Sequence, residues 1–347
     1  MKSIDMHCHH FTFKKGGYIH PKFAGGIRIR MYLAGIGLIS WHDALHGNLP
    51  PLEEIDALYH ARLVSQVIDS PLDHVVALAF DGIYDASGRL DKEETIKYVS
   101  NDAVIELCRE SPKFLLGASV NPRRRDWKDE LDKCLASGAV LMKWLPSVMD
   151  FDPADPRYLP FLKRLRESGM PILMHVGFEL ALPTKNSRYA NMSRLEILLK
   201  AGVTVIAAHC CGGWPIPFMD IAGLWELPKM RRLVEQYPNL FFDTAGMIAP
   251  HRKARLINTF ADPILCGRSV HATDYPITLQ TWAFKKETRG IVLPANYFAK
   301  DIAIKERIGL TPEVLKRGYE PIGKRIKALG LNVPVHECGS SCTFHPR

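Results

Sequence analysis

Ile4-Asp5-Met6-His7-Cys8-His9-His10 is the stretch near the start of the chain on which the interpretation of all later segments depends. His7 and His9 are two positions apart. Successive side chains of a β-strand alternate between its faces, so on a strand both imidazoles would point the same way. Two neutral imidazoles side by side at the end of a strand suit a divalent metal. The stretch therefore predicts part of a metal site whose other ligands must come from later segments.

The size and composition of the chain favour one large domain. Its 347 residues are 47% hydrophobic, and α/β barrels routinely exceed about 250 residues as a single domain. No apolar run reaches the roughly 18 residues that a transmembrane helix needs, so we expect no membrane partner. The first candidate strand begins so close to the start that no room is left for a signal peptide, and a cytoplasmic enzyme is expected.

The net charge of +8 comes from dispersed basic residues. A nucleic-acid-binding protein would more often carry a continuous basic stripe with interleaved aromatic residues, so we expect no nucleic-acid partner. A small-molecule substrate is the expected partner, and a homo-oligomer is left open. The eight cysteines lie mostly in apolar segments, which is typical of buried thiols rather than of a disulfide framework.

Short apolar runs alternate with helical patterns along most of the chain. Strands are predicted at 74–80, 114–120, 139–145, 171–176, 203–209 and 240–244, with a last one ending at Asp274. Helices are predicted between them at 91–110, 127–137, 158–168, 194–200, 229–237 and 252–260. This alternation indicates parallel βαβ units, and with the first stretch the strands number eight. A doubly wound open sheet is the alternative, but it would favour a glycine-rich loop where His7-Cys8-His9-His10 stands.

The fold class is therefore predicted to be α/β, as a (β/α)8 TIM barrel with a long insertion after the first strand and a C-terminal extension. We expect one domain over residues 1–330. Residues 11–72 would form the insertion, and a connection of that length is usually functional, so it is expected to cover the active-site mouth. Residues 331–347 would be a tail. Its Cys338 and Cys342 could form a small zinc site, but the spacing is weak evidence and a frayed tail is preferred.

Metal-ligating residue types recur at the predicted strand ends. They are His7, His9, Lys143, His175, His209 and Asp274. In a barrel the chemistry is found at the C-terminal ends of the strands, so these side chains would converge on one site.

Four motifs that contain these residues resemble the amidohydrolase superfamily, and most closely its amidohydrolase-2 branch, which includes the aminocarboxymuconate-semialdehyde decarboxylase type. The motifs are Asp5-Met6-His7-Cys8-His9, Pro171-Ile172-Leu173-Met174-His175, Ala207-Ala208-His209 and Ala272-Thr273-Asp274-Tyr275-Pro276. The resemblance spans roughly residues 3–305. It implies a (β/α)8 barrel that holds one or two divalent metals, commonly zinc.

The resemblance also implies roles for individual residues. His7, His9 and Asp274 would bind the first metal, and His175 would be the ligand from the fifth strand. His209 would either bind a second metal or polarise the substrate as a catalytic group. Asp274 would also act in catalysis by taking the proton from the metal-activated water.

Lys143 departs from the plainest decarboxylase-type pattern. In binuclear amidohydrolases a lysine of the fourth strand is carboxylated and bridges two metals. Burial in the apolar segment around Lys143 would lower the pKa of its amine and free it to react with CO2. The alternative is a lysine that pairs with a carboxylate or binds an anionic group of the substrate.

Four further residues are candidates for contact with the substrate. They are Arg123, Trp144, Glu179 and Tyr275. Trp144 and Trp214 could line the pocket, but packing in the core is the preferred interpretation for both. Arg123 could clamp a carboxylate, although a solvated loop position is the simpler interpretation.

The sequence thus predicts a metal-dependent hydrolase that cleaves an amide, ester or lactone bond in a small molecule. The alternative enzyme is a metal-dependent non-oxidative decarboxylase of an aromatic or unsaturated carboxylic acid. A barrel that binds ligand without catalysis is a remote third possibility, which the complete set of ligand-type residues argues against.

Overall fold

The computed structural model describes residues 2–24, 26–179, 181–211 and 221–331. Trp214 and the tail with Cys338 and Cys342 lie outside the described residues, so those predictions stay open. None of the helices in these ranges is long and apolar enough to cross a membrane.

Eight parallel strands form the central sheet, and two further strands form a small antiparallel ribbon. In chain order the ten strands are β1 (Ile4–His9), β2 (Gly17–Ile19), β3 (His74–Leu78), β4 (Lys97–Val99), β5 (Phe114–Ala118), β6 (Leu141–Trp144), β7 (Ile172–Met174), β8 (Val205–Ala207), β9 (Leu240–Asp243) and β10 (Ser269–Val270). The central sheet has the order β1-β3-β5-β6-β7-β8-β9-β10, and β2 pairs with β4. Each strand of the central sheet follows its neighbour in the chain, which confirms the predicted barrel.

The sheet curves until its first strand meets the segment after its last. Met6 N–H donates to the carbonyl of His271 at 3.1 Å, Asp274 N–H to that of His7 at 2.8 Å, and His9 N–H to that of Tyr275 at 2.8 Å. We call these contacts between β1 and residues 271–275 the seam. The nearly closed barrel therefore joins the two edges of the sheet, and it does so at the position of the predicted ligands.

A buried carboxylate holds the seam. Asp5 Oδ1 accepts the N–H groups of His7 and Thr273, and Asp5 Oδ2 accepts the Thr273 hydroxyl at 2.6 Å. Burial raises the pKa of Asp5 to about 7 in spite of these bonds. Asp5 thus fixes the backbone of both strand ends rather than the ring of a ligand histidine.

Helices surround the barrel and cover part of its mouth. They are α1 (Pro21–Ala24), α2 (Ile27–Gly35), α3 (Trp41–His46), α4 (Leu52–Ile68), α5 (Asn101–Glu110), α6 (Trp127–Ala136), α7 (Pro146–Met149), α8 (Leu159–Ser168), α9 (Leu195–Lys200), α10 (Ile221–Gln236), α11 (Lys253–Ala261), α12 (Pro263–Cys266), α13 (Tyr297–Glu306), α14 (Pro312–Arg317) and α15 (Tyr319–Ala328). Short 3-10 helices lie at Pro156–Tyr158, Ser187–Ala190, Met192–Arg194, Ala208–Cys211 and Thr281–Phe284.

Apolar side chains fill the barrel below the site. Leu141, Leu173, Phe241 and Val270 belong to one buried cluster, which Tyr319 and other residues of α15 join. A larger cluster packs the outer faces of the strands against the surrounding helices and the insertion. The barrel interior is therefore a packed core, and its upper end is left for chemistry.

The predicted helix over 91–110 is wrong in its first half. Lys97–Val99 forms β4 and pairs antiparallel with β2, so that Lys97 lies opposite Ile19. The helix α5 begins only at Asn101, where the Ser100 hydroxyl accepts the Ala103 N–H as an N-cap. Tyr98 and Val99 are residue types that favour strands, and their partner strand lies about eighty residues away in the sequence, within the insertion.

One carboxylate fixes the start of the insertion. Asp56 of α4 accepts the backbone N–H groups of Phe13, Lys14 and Lys15 and the hydroxyl of Thr12, at distances of 2.6 to 3.2 Å. Asp56 is buried. The chain leaving β1 is therefore held against α4 by hydrogen bonds to a charged group.

We expect Asp56→Ala to lower the free energy of unfolding by about 2–3 kcal/mol, because it leaves three backbone donors without their acceptor. Chemical denaturation measures the change, and limited proteolysis would show faster cleavage near residues 12–15. The exposed Glu54 on the same helix offers a control, and Glu54→Ala should change the stability by less than about 0.5 kcal/mol. Equal stabilities of the two variants would contradict the anchoring role.

Candidate metal centre

Strand alternation places the ionisable side chains directly above the apolar layer of the barrel. Leu141 is followed two residues later by Lys143, Leu173 by His175, and Phe241 by Asp243. Since side chains two positions apart share a face of a strand, each polar group continues an inward-facing row. The row from Val270 through Ala272 likewise leads to Asp274.

His7, His9 and Asp274 form a compact group of three possible ligands. The Nε2 atoms of His7 and His9 lie 3.2 Å apart, and Asp274 Oδ1 lies 3.4 Å from the first and 3.3 Å from the second. A tetrahedral ion with bonds of 2.0–2.1 Å keeps neighbouring ligand atoms about 3.3–3.4 Å apart. The donor types and the edges of this triangle therefore both fit a divalent metal.

Asp243 orients two of the histidines at once. Its Oδ2 accepts the Nδ1–H of His7 at 2.8 Å, and its Oδ1 accepts the backbone N–H of His209 at 2.6 Å. With Nδ1 acting as the donor, the lone pair of His7 lies on Nε2, which faces His9 and Asp274. A carboxylate behind a ligand imidazole is the usual way to fix its tautomer and orientation.

His209 and His175 form a second pair of imidazoles next to the first group. His209 Nδ1 lies 2.9 Å from the carbonyl oxygen of Ala245, so this nitrogen carries the proton and Nε2 carries the lone pair. His209 Nε2 lies 3.2 Å from His175 Nδ1. The other nitrogen of His175 lies 3.5 Å from a carboxylate oxygen of Glu179. Asp274 Oδ2 is 3.8 Å from His209, so this aspartate lies between the two histidine pairs.

His7, His175 and His209 are buried and His9 is partly buried, and all four rings are held neutral. Burial lowers the pKa values of His7, His9 and His209 well below the ordinary value, and Lys143, Lys97 and Arg252 respectively add to the shift. The pKa of His175 is also lowered, mainly by burial. A neutral imidazole is the form that binds metals, so the cavity keeps these rings ready for a cation.

Lys143 reaches the first group from β6. Its Nζ lies 2.9 Å from His7 Nε2, and its side chain is almost fully buried. Burial lowers the pKa of Lys143 to about 8, against the opposing effect of Asp243 and Asp274. An ammonium at this position would compete with a metal for the lone pair of His7, so the protonation of Lys143 and metal binding are coupled.

Two of the site residues have positive φ angles, at 66° for Asp274 and 57° for His209. Such a backbone costs about 1–3 kcal/mol per non-glycine residue and persists only where the surroundings impose it. Here the imposed contacts are the hydrogen bonds of Asp274 N–H to His7 and of His209 N–H to Asp243. Gly246 lies against the same aspartate, and a Cβ at this glycine would stand 2.7 Å from Asp274 Oδ2.

The site opens into a cavity of about 420 Å³. Residues of the insertion form much of its wall, among them Phe11, Ile19, Phe23, Ile29 and Tyr32. The insertion therefore lines the mouth of the site.

Of the four candidates for substrate contact, Glu179 lines this cavity. Arg123 lies elsewhere, where it donates to the carbonyl of Asp150 at 2.8 Å and pairs with its carboxylate. The guanidinium of Arg123 is thus engaged with the loop after β6 and does not line the cavity.

Trp144 and Tyr275 are also placed outside the cavity wall. Trp144 is buried among Phe151 and Phe161, and its indole N–H donates to the carbonyl of Val120. Tyr275 stacks on Phe298 and borders a separate cavity. Each directly follows an inward-facing residue, Lys143 or Asp274, and alternation turns the next side chain to the other face. The sequence contained that signal.

Two residues outside the predicted set of ligands are important to the site. Asp243 is a carboxylate at a strand end that the sequence suggests for substrate contact, but it contacts His7 instead, across 236 positions of the chain. Lys97 lines the cavity but fell within a predicted helix. The inward position of Asp243 could have been predicted from alternation along β9. The position of Lys97 depends on the ribbon of β2 and β4, which has no such local signal.

Comparison with known proteins gives one family match and a set of similar folds. The amidohydrolase family model Amidohydro_2 matches residues 4–317. No curated protein matches the chain. A solved structure of an uncharacterized TIM-barrel protein from Bordetella bronchiseptica has a TM-score of 0.58 at 17% identity, over 93% of this chain and 100% of the other.

Two further solved structures have a similar fold. A proposed 2-pyrone-4,6-dicarboxylic acid hydrolase from Pseudomonas putida has a TM-score of 0.53 at 14% identity, over 93% of this chain and 98% of the other. A dihydroxybenzoic acid decarboxylase from a Polaromonas species, solved with manganese and the inhibitor 2-nitroresorcinol, has a TM-score of 0.52 at 14% identity, over 93% and 97%. At such identities the likeness shows the fold alone.

We expect Asp243→Asn to raise the dissociation constant for a divalent metal about 10- to 100-fold, because an amide cannot accept from both His7 and His209. Metal retained after dialysis against graded chelator measures the effect. Asp73→Asn makes the same change at an exposed residue directly before β3, and it should retain metal as the wild type does. Equal retention by both variants would show that Asp243 does not orient the ligands.

Proposed function

Since the chain belongs to the amidohydrolase-2 family of metal-dependent enzymes, we propose that it is a hydrolase that cleaves an amide, ester or lactone bond of a small-molecule substrate. The observation that carries this proposal is the triangle of His7, His9 and Asp274, whose edges of 3.2 to 3.4 Å fit a divalent ion. The ion is proposed to be zinc, for which imidazole and carboxylate are common ligands, with manganese as the alternative.

His7, His9 and Asp274 would hold the ion, and His175 would add a ligand from β7. When bound, such a metal lowers the pKa of water towards neutrality and polarises the bond that is to be cleaved. The chain itself supplies a proton acceptor. Asp274 has a second carboxylate oxygen that faces His209 at 3.8 Å, and it would take the proton from the attacking water and pass it to the leaving group.

The hydrogen bonding of His209 favours one of its two predicted roles. Its Nδ1–H donates to the carbonyl of Ala245, so the neutral ring presents only a lone pair towards the cavity side. A group that polarises a substrate carbonyl must donate a hydrogen bond, and this ring has no second proton to give. We therefore propose that His209 acts as a ligand, together with His175, rather than as an electrophile.

Lys143 is proposed to connect the two histidine pairs. As a free amine, its nitrogen would attack the carbon of CO2 and lose a proton, which yields a carbamate with two oxygens. That anion could reach from His7 towards His175 and would complete a second metal site with ring nitrogens of His175 and His209. The lowered pKa and deep burial of Lys143 support this proposal.

The apolar wall of the cavity favours the alternative reaction. Phe11, Phe23 and Phe80 line it together with aliphatic side chains, and such a wall suits a planar unsaturated or aromatic body. A metal-dependent non-oxidative decarboxylase would use the same ligands and would release CO2 instead of an acid with an alcohol or amine.

We expect the purified protein to hydrolyse members of a panel of small esters, amides and lactones, and Asp274→Asn to lower the rate at least about a hundredfold. Metal content measured in parallel separates lost binding from lost proton transfer. Asp129→Asn on the exposed side of α6 provides the control. If the panel is inert while carboxylic acids release CO2, the decarboxylase replaces the hydrolase, and a metal-free inactive barrel would favour ligand binding without catalysis.

For Lys143 we expect about two metal ions per chain after preparation with bicarbonate, and about one in Lys143→Gln. Intact-mass measurement under mild conditions should show the added mass of one CO2 on the wild type alone. One ion per chain with an unmodified lysine would leave Lys143 as a simple hydrogen-bond donor to His7.

A further inference from the structure

Lys97 differs from the other buried cations of the described chain. Its side chain is buried and its ammonium lines the cavity, yet no hydrogen bond or ion pair of the ammonium is found among the described residues. The other buried cations each contact an acceptor: Lys143 contacts His7, and Arg252, Arg255, Lys305, Arg317 and Arg325 contact carbonyl or carboxylate oxygens.

Two aromatic rings flank the ammonium of Lys97. Its Nζ lies 4.9 Å from the ring centroid of Phe11 and 5.0 Å from that of Phe80. A cation over an aromatic face is stabilised by the ring, but ring contacts do not satisfy the three N–H donors of an ammonium. Because the ammonium faces the cavity, a ligand that brings an anionic oxygen can accept from these donors.

The position of Lys97 depends on elements outside the barrel. The ribbon of β2 and β4 places Lys97 opposite Ile19. Phe11, the first residue of the insertion, supplies one of the two flanking rings. The cavity wall around it is mostly apolar, with Phe23, Ile29 and Tyr32 as further members. An anionic group at Lys97 would therefore be attached to a planar or apolar body that contacts this wall.

We propose that Lys97 is a specificity-determining residue that binds a carboxylate of the substrate in the cavity that also holds the candidate metal ligands. This inference rests on the proposed function in one respect, which is that the bound carboxylate belongs to the substrate of the metal site. It assigns Lys97 to binding and selection, and not to the bond-breaking step. Arg28, which also lines the cavity, is exposed at its mouth and is not needed for the contact.

Calorimetric titration of the metal-containing protein with benzoate tests this role, and acetophenone serves as a neutral molecule of the same shape. We expect Lys97→Met to weaken benzoate binding about tenfold or more, because a charge-assisted hydrogen bond is lost, and to leave acetophenone binding unchanged. Lys97→Arg should retain most of the affinity for benzoate. Lys97→Gln is a second neutral variant for use if the methionine variant does not fold.

Lys92→Met is the matched control, since Lys92 lies exposed five positions before Lys97 and outside the cavity. It should bind both probes as the wild type does. Equal benzoate affinity in the wild type and the neutral variants, or no measurable binding to the wild type, would overturn the role of Lys97.

The same preparations separate this inference from the proposed function. A benzoate effect of Lys97 without hydrolysis of any ester, amide or lactone would refute the hydrolase and support the carboxylate site. If the neutral variants hydrolyse both charged and uncharged substrates at the wild-type rate, the hydrolase is supported and the role of Lys97 is refuted.

Discussion

The seam between β1 and residues 271–275 is the constraint on which the candidate site depends. It brings the two histidines of the first strand next to the aspartate that follows the last strand. The Asp5–Thr273 contact that holds the seam joins residues 268 positions apart. The three backbone hydrogen bonds of the seam also fix the positive φ of Asp274. The geometry of the candidate ligands therefore depends directly on closure of the barrel. In a barrel left open at this edge, the two histidines and the aspartate would lie too far apart to form a site.

Burial then decides the chemical state of the groups that the seam collects. Removing charged groups from water costs several kcal/mol each unless partners compensate, and here four histidines are neutral and the pKa of Lys143 falls to about 8. Asp243 and the carbonyl of Ala245 take the ring protons on the far side, so that lone pairs point inward. An arrangement of inward lone pairs beside one carboxylate is unfavourable when empty and is relieved by a cation.

The sequence predicted the barrel because the strands are short apolar runs that alternate with helical patterns, and it predicted the strand-end positions of the ligand-type residues because alternation makes them inward-facing. The sequence did not predict the position of Lys97. A three-residue strand with a distant partner has no local pattern strong enough to rule out the helix that was predicted over 91–110. Trp144 and Tyr275, two candidates for substrate contact, lie outside the cavity wall because each directly follows an inward-facing residue. Nearness to a ligand in the chain therefore does not place a side chain in the cavity.

The division between barrel and insertion also divides the chemistry. The candidate ligands come from strand ends whose positions the seam and the sheet register fix, and the proposed hydrolase and the alternative decarboxylase would use the same set. Much of the cavity wall comes from the insertion, which includes Phe11, and from the ribbon that carries Lys97, and the barrel does not dictate either of them. Contacts that an enzyme makes with remote parts of its substrate can be used to orient the reacting bond. Under the proposed function, choice of substrate would therefore be a property of the mouth, and it could change without moving a candidate metal ligand.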